Sequence, residues 1–186
     1  MKTFSNTYLD LANPKPSSLV LHDMVQGIAR ECRFANQCTR HCSVAEHSVL
    51  VSYLVENRTA RTLALVHDMP EAYLRDMPLP YKSLIPDCKR YEDAMIDCVI
   101  EKFKIEYNEE LWREVKSADT AAYNLERIIY FSDSSRVDKT KCTNIVKSFG
   151  WSPGLNQKKA IKLFYNRWEE LGLSNDLGIS KKPIAT

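Results

Sequence analysis

The sequence predicts an all-α protein on three observations. Glycine is scarce, at five residues in 186, strand-like alternation is hard to find, and apolar residues recur at intervals of three and four along most of the chain. With 44% hydrophobic residues the chain can build one domain around a proper core, expected over about residues 17–171 of 1–186.

The elements follow in order. The first sixteen residues are irregular, and after Pro14 and Pro16 either Ser17 or Ser18 can cap a helix running to about Arg33. Phe34 to Cys42 reads as a loop. Ser43 and Glu46 have the S-x-x-E spacing of a capping box and open a helix to about Glu56, with Val44, His47, Ser48, Val51, Leu54 and Val55 as its inner stripe. A third helix is expected from about Thr59 to Leu74, stopped before Asp76, Pro78 and Pro80 because proline cannot continue the hydrogen-bond ladder. Further helices are expected from about Asp87 to Phe103, from about Glu109 to Ser132, and from about Asn156 to Leu171. The second of these turns Val115, Ala118, Ala122, Leu125 and Ile129 inward, with Asp119 at the border of the stripe. Ser174 to Thr186 reads as a loose tail.

A net charge of +2 and a pI near 8.2 give no strong basic field, so a nucleic-acid-coating role has little electrostatic support while a small anionic ligand remains compatible. The N-terminus lacks the apolar run of a signal peptide, and no segment approaches the ~20 apolar residues of a membrane span. A soluble, cytoplasmic protein with no membrane partner is expected. The six cysteines, Cys32, Cys38, Cys42, Cys88, Cys98 and Cys142, form no C-x-x-C pair, and reduced thiols are the expectation. Cys38, His41, Cys42 and His47 offer an alternative reading as a small zinc knot in an interaction module.

The chemistry concentrates between Leu65 and Asp76, where His67-Asp68 emerges from the apolar run Leu63, Ala64, Leu65, Val66 and is followed by Glu71 and Asp76. Buried charges are unfavourable unless paired or metal-bound. On a continuous helix Glu71 would stand beside the doublet, four residues from His67 and three from Asp68. His47 and His67 on apolar faces, with Asp68 and Asp119, give two imidazoles and two carboxylates from three helices, a set suited to a first-row divalent cation with room for water. Taken singly, each also reads as a satisfied core histidine or a buried ion-pair partner.

These residues resemble the HD-domain phosphohydrolases, whose motif is a histidine, an HD doublet and a distant aspartate, matched by His47, His67-Asp68 and Asp119. Cys32-Arg33-Phe34, Ser43-Val44-Ala45-Glu46-His47-Ser48, the run from His67 to Pro78, and Val115-Lys116-Ser117-Ala118-Asp119 look like the compact deoxynucleotidase branch of bacteria and phages, over roughly residues 17–135. Phage dATP triphosphohydrolases are close relatives in that branch. Three departures stand out: Arg75 and Ala35 where the branch has glycine, and Cys42 where it has an aromatic residue.

The resemblance implies a single HD-domain helical bundle with the metal site between helices. It assigns one divalent metal ion, zinc, cobalt or manganese rather than magnesium, to His47, His67, Asp68 and Asp119. It gives Glu71 the task of activating or orienting water and Asp76 that of protonating the leaving 5′ oxygen, with the two roles interchangeable. Arg33, Lys82 and Lys116 match phosphate-contacting positions, Phe34 offers a stacking surface for the base, and Pro80 offers a pocket wall. The implied partner is a small-molecule deoxynucleotide and the implied state a homo-oligomer. The favoured reaction is hydrolysis of dATP to deoxyadenosine and triphosphate, with 5′-deoxynucleotidase action on dNMPs as the alternative. A reading of another class is a non-catalytic helical sensor that binds nucleotide in the same pocket without turnover.

Overall fold

The computed structural model describes residues 1–131 and 139–173. Ser132 and the end of the stretch to Ser135, together with the expected tail Ser174–Thr186, lie outside the described residues. Within them the chain is all-helical: α1 (Leu21–Ile28), α2 (Val44–Leu54), α3 (Arg58–Val66), α4 (Glu71–Leu74), α5 (Leu79–Lys82), α6 (Cys88–Phe103), α7 (Glu109–Tyr130), α8 (Lys139–Ser148) and α9 (Gln157–Glu170). Extended pairing among the described residues is confined to isolated bridges, Lys2 with Tyr8 and Cys32 with Ser43.

Helix α2 occupies the centre, packed against α3, α7 and α9. Its start is fixed as the sequence predicts: Ser43 Oγ accepts from the Glu46 N–H, and the Glu46 carboxylate accepts from Ser43 N–H in return. The expected single inner stripe gives way to burial on every side. All residues from Val44 to Ser52 are buried, including Ala45, Glu46, Val49 and Leu50, whereas Leu54 is half-buried. A helix covered all round suits the middle of a bundle. Buried Arg167 of α9 fastens it there, donating from Nε to Ser52 Oγ at 3.0 Å and from Nη2 to the Ser52 carbonyl at 3.0 Å.

The helix expected from Thr59 to Leu74 is broken in two. Pro70 has no N–H to continue the hydrogen-bond ladder, and α3 ends at Val66 while α4 begins at Glu71. His67 caps α3, and residues 67–70 form a turn in which Met69 N–H reaches the Val66 carbonyl. The helix expected to reach Arg33 ends at Ile28, because the chain must turn there to bring residues 31–33 beside residues 42–44. Arg33 N–H donates to the Cys42 carbonyl and Val44 N–H to the Glu31 carbonyl. Gly27 of α1 allows a close approach to α4, since a Cβ there would stand 2.8 Å from both the Cα and the carbonyl oxygen of Ala72. The short α5 and the ten-residue α8 were not expected from periodicity. On α7, Leu125 is half-buried and Glu126 takes the buried position.

Candidate metal centre

Three elements bring the imidazoles and carboxylates together. His47 comes from the middle of α2, His67 and Asp68 from the turn after α3, and Asp119 from α7. Asp68 Oδ2 lies 3.1 Å from His67 Nε2 and 3.3 Å from His47 Nε2. Asp119 Oδ1 lies 3.1 Å from His47 Nε2 and 3.9 Å from His67 Nε2. His47, His67 and Asp68 each offer a ligand atom within 4.8 Å of the others. Asp119 falls outside that tight triad yet touches both rings.

The other ring nitrogens settle which way the lone pairs point. His67 Nδ1 lies 2.7 Å from the Ala64 carbonyl, which can only accept, so Nδ1 carries the proton. His47 Nδ1 lies 2.9 Å from Glu126 Oε1. Burial pushes Glu126 up, but Arg33 and His47 overcome it and hold the carboxylate ionised, so this nitrogen also donates. In its neutral form each ring presents an Nε2 lone pair, and both Nε2 atoms are buried without a hydrogen-bond partner. In that form two lone pairs and two carboxylates face one another. Only positive charge relieves such a set, and its nitrogen and oxygen donors fit a first-row divalent cation.

The electrostatics agree. Burial and Arg33 push the His47 imidazole down, but Glu126, Asp119 and Asp68 outweigh them and hold it well above its ordinary value. For His67 burial is likewise outweighed, by Asp68 and Asp119. Asp68 and Asp119, despite burial, are held far below the usual carboxylate range by the two imidazoles. The cluster draws in protons or a metal cation.

Glu71 and Asp76 stand beside this centre. Burial, with Asp68 and Asp76 nearby, pushes the Glu71 carboxyl well up, and its Oε2 is buried without a partner. Asp76 is raised chiefly by burial and accepts from the Phe34 N–H at 3.2 Å. A cavity of about 540 Å³ opens from the cluster, lined by His67, Asp68, Glu71, Lys82, Trp112 and Lys116 among others. That volume is in the range of small-molecule sites. Lys82 Nζ pairs with Glu92 at 2.5 Å and Lys116 Nζ with Asp119 at 3.2 Å, so both cations reach the wall from partly exposed positions.

Other expected residues are placed differently. Arg33 is buried and committed within the protein, with Nε 3.0 Å from Glu126 Oε2 and Nη1 3.6 Å from Asp68 Oδ2. Phe34 packs edge-on to Phe131 at 5.1 Å and near Tyr123 at 5.8 Å, and neither it nor the exposed Pro80 lines the cavity. The zinc-knot residues are not gathered: Cys38 Sγ lies against Cys32 Sγ, and the tight donor group found among the described residues is that of His47, His67 and Asp68. Glu126, which holds both Arg33 and His47, was missed. Its signal was the four-residue spacing Ala118, Ala122, Glu126, which puts a carboxylate on the inward face of α7.

The site thus belongs to an all-helical protein with a buried His/Asp cluster able to hold a metal. No family model matches the chain. It is 33% identical over 148 residues, 72% of this chain and 74% of the relative, to the uncharacterized protein RCAP_rcc00048 of Rhodobacter capsulatus, and it belongs to that protein's family. It is also 38% identical over 103 residues to the uncharacterized protein YfdR of Escherichia coli, a match spanning 55% of this chain and 57% of YfdR. Among the described residues no helix is long and apolar enough to cross a membrane.

Proposed function

We propose that this chain is an HD-domain phosphohydrolase that uses one divalent metal to hydrolyse 2′-deoxynucleotides, with dATP cleaved to deoxyadenosine and triphosphate as the favoured reaction. The observation that carries the proposal is the convergence of His47 Nε2, His67 Nε2, Asp68 and Asp119 beside a cavity that His67, Asp68 and Glu71 line. A cation held by these four would supply Lewis-acid stabilisation and a more acidic water.

The chain's own groups supply the rest. Lys82 and Lys116 place ammonium groups on the cavity wall, where a chain of phosphates would exchange its water for them. Glu71, its carboxyl raised well above the ordinary value by burial and by Asp68 and Asp76, faces the cavity, so it can hand a proton to a leaving oxygen or hold one of a water's hydrogen bonds. Asp76, fixed by the Phe34 N–H, is the second carboxyl within the same charged group. Arg33 keeps Glu126 ionised and lies 3.6 Å from Asp68.

The test is incubation with each dNTP, each dNMP and ATP in the presence of manganese, cobalt or zinc, with the released group identified as triphosphate, pyrophosphate or phosphate. Triphosphate from dATP is expected, faster than from ATP. Asp68→Ala should lose both bound metal and turnover, whereas Glu71→Ala should keep the metal and lose about 10²–10⁴-fold in rate. Phosphate released from dNMPs alone would replace the triphosphate reading with the monophosphatase one. A folded Asp68→Ala protein with undiminished metal content would overturn the site.

A further inference from the structure

The loop that carries Arg33 and Phe34 begins and ends with a cysteine. Cys32 Sγ and Cys38 Sγ are 3.9 Å apart, both half-buried and both reduced. We propose that Cys32 and Cys38 are an oxidative modification site that closes into a reversible disulfide by exchange with low-molecular-weight disulfides.

The geometry needs little movement. The sulfurs must approach by about 2 Å to reach a disulfide bond length of about 2.0 Å. The Cys38 thiol points its hydrogen at the Arg40 carbonyl, 3.0 Å away, a weak contact that bridging would give up. Between the two cysteines Phe34, Ala35 and Asn36 all adopt the left-handed region, with φ of 61°, 49° and 61°. Three consecutive non-glycine residues in that region must be held by their surroundings. The hold comes from the Arg33 ion pairs on one side and the Asp76 contact on the other. A covalent tie across the loop ends would therefore lock the backbone that carries both.

The exchange balances. The Cys32 thiolate attacks the small disulfide, forming a mixed disulfide and expelling one small thiolate, which takes up the proton Cys32 gave away. Cys38 then attacks the Cys32 sulfur, the protein disulfide forms, and the second small thiol leaves with the Cys38 proton. Two protein thiols lose two electrons and one small disulfide gains them. Burial and the adjacent Cys32 push Cys38 up to about 11, which makes it the poorer first nucleophile; with Cys32 in a mixed disulfide the part of that shift due to Cys32 is gone, and Cys38 acts at short range on a disulfide already formed beside it.

The experiment treats the full chain with oxidised glutathione, blocks the remaining thiols, and maps cysteine linkages by mass spectrometry of proteolytic peptides. Expected is a peptide pair joined through Cys32 and Cys38, lighter by two hydrogens than its reduced form and carrying no glutathione. Restoration by dithiothreitol is also expected. Cys38→Ser should retain glutathione on Cys32, and Cys42→Ser should leave the bridge intact. Glutathione persisting on the wild-type pair, a bridge that involves Cys42 instead, or complete blocking of both thiols after treatment would each overturn the proposal. None of these readouts depends on metal or on hydrolysis.

Discussion

Glu126 Oε1 lies 2.9 Å from His47 Nδ1, so a carboxylate on α7 decides which nitrogen of an α2 imidazole faces the centre. Such outer partners fix ring orientation and ligand basicity, and their loss typically costs 10–100-fold in metal affinity. Glu126→Gln should therefore weaken binding of zinc or cobalt by that factor while all four donors remain. Competition with a metal-sensitive dye measures it. A Gln can present its NH₂ to Nδ1 and drive the proton to Nε2, which removes the lone pair from the centre. Unchanged affinity would show that His47 is oriented by packing alone.

Gly27 sets how closely α4 approaches α1. Alanine normally improves a helix interior by up to about 1 kcal/mol over glycine. Here the added Cβ would lie 2.7 Å from the Ala72 Cβ and 2.8 Å from Ala72 backbone atoms, and backbone cannot swing aside as a side chain does. Overpacking of this kind costs about 1–3 kcal/mol. Urea unfolding of Gly27→Ala should show a net loss of stability, and a gain would mean that α4 shifts freely.

Arg75 and Ala35 both have positive φ, at 75° and 49°. Arg75, with ψ of 152°, lies in a region that is nearly exclusive to glycine. Its ion pair with Glu31 is made by a side chain that is 75% exposed, which limits what the pair can return. Arg75→Gly should raise stability by about 1 kcal/mol as the strain is relieved. Thermal unfolding is the check, and a lower Tm would show that the Glu31 contact outweighs the backbone term.

Glu46 couples the α2 cap to the start of α9. Its Oε1 accepts from Gly154 N–H and Leu155 N–H, both at 3.0 Å, and its Oε2 from Ser43. Burial nevertheless pushes its carboxyl up to about 7 from an ordinary 4.5. A group raised on folding binds more protons in the native state, so its contribution is complete below pH 4.5 and is lost as pH rises through about 7. At about 1.4 kcal/mol per unit this is at most about 3–4 kcal/mol. Glu46→Gln should flatten the fall in stability between those pH values, as read from denaturation curves at pH 5 and pH 8. Parallel curves for the two proteins would remove Glu46 from the pH response.

What the sequence made legible was what local rules control. The capping box at Ser43, the α6 and α9 spans and the inward Val115, Ala118, Ala122 and Ile129 of α7 were readable because each rests on spacing within a few residues. The His67-Asp68 doublet was visible through the apolar run before it. Its setting was not, since Pro70 was outweighed in the reading by the apolar pattern on both sides of it. The inward place of Glu126 had a signal in its spacing from Ala118 and Ala122, but its pairing with His47, like the Cys32–Cys38 approach, joins residues whose closeness depends on how the chain folds back, which no periodicity reports. The partners of Arg33 fall in the same class.

The cluster and the cavity wall differ in tolerance to change. On one side, the imidazoles and carboxylates of the cluster sit on α2, the turn after α3, and α7, in or beside the packed interior, where a substitution disturbs several neighbours at once. On the other, much of the cavity wall comes from residues 79–93, which lie on a surface segment with Leu79 and Leu84 about three-quarters exposed, at 77% and 75%. Residues there can be exchanged with little cost to folding. A lineage of such chains can thus diversify what enters the cavity while the His/Asp cluster beside it stays as it is.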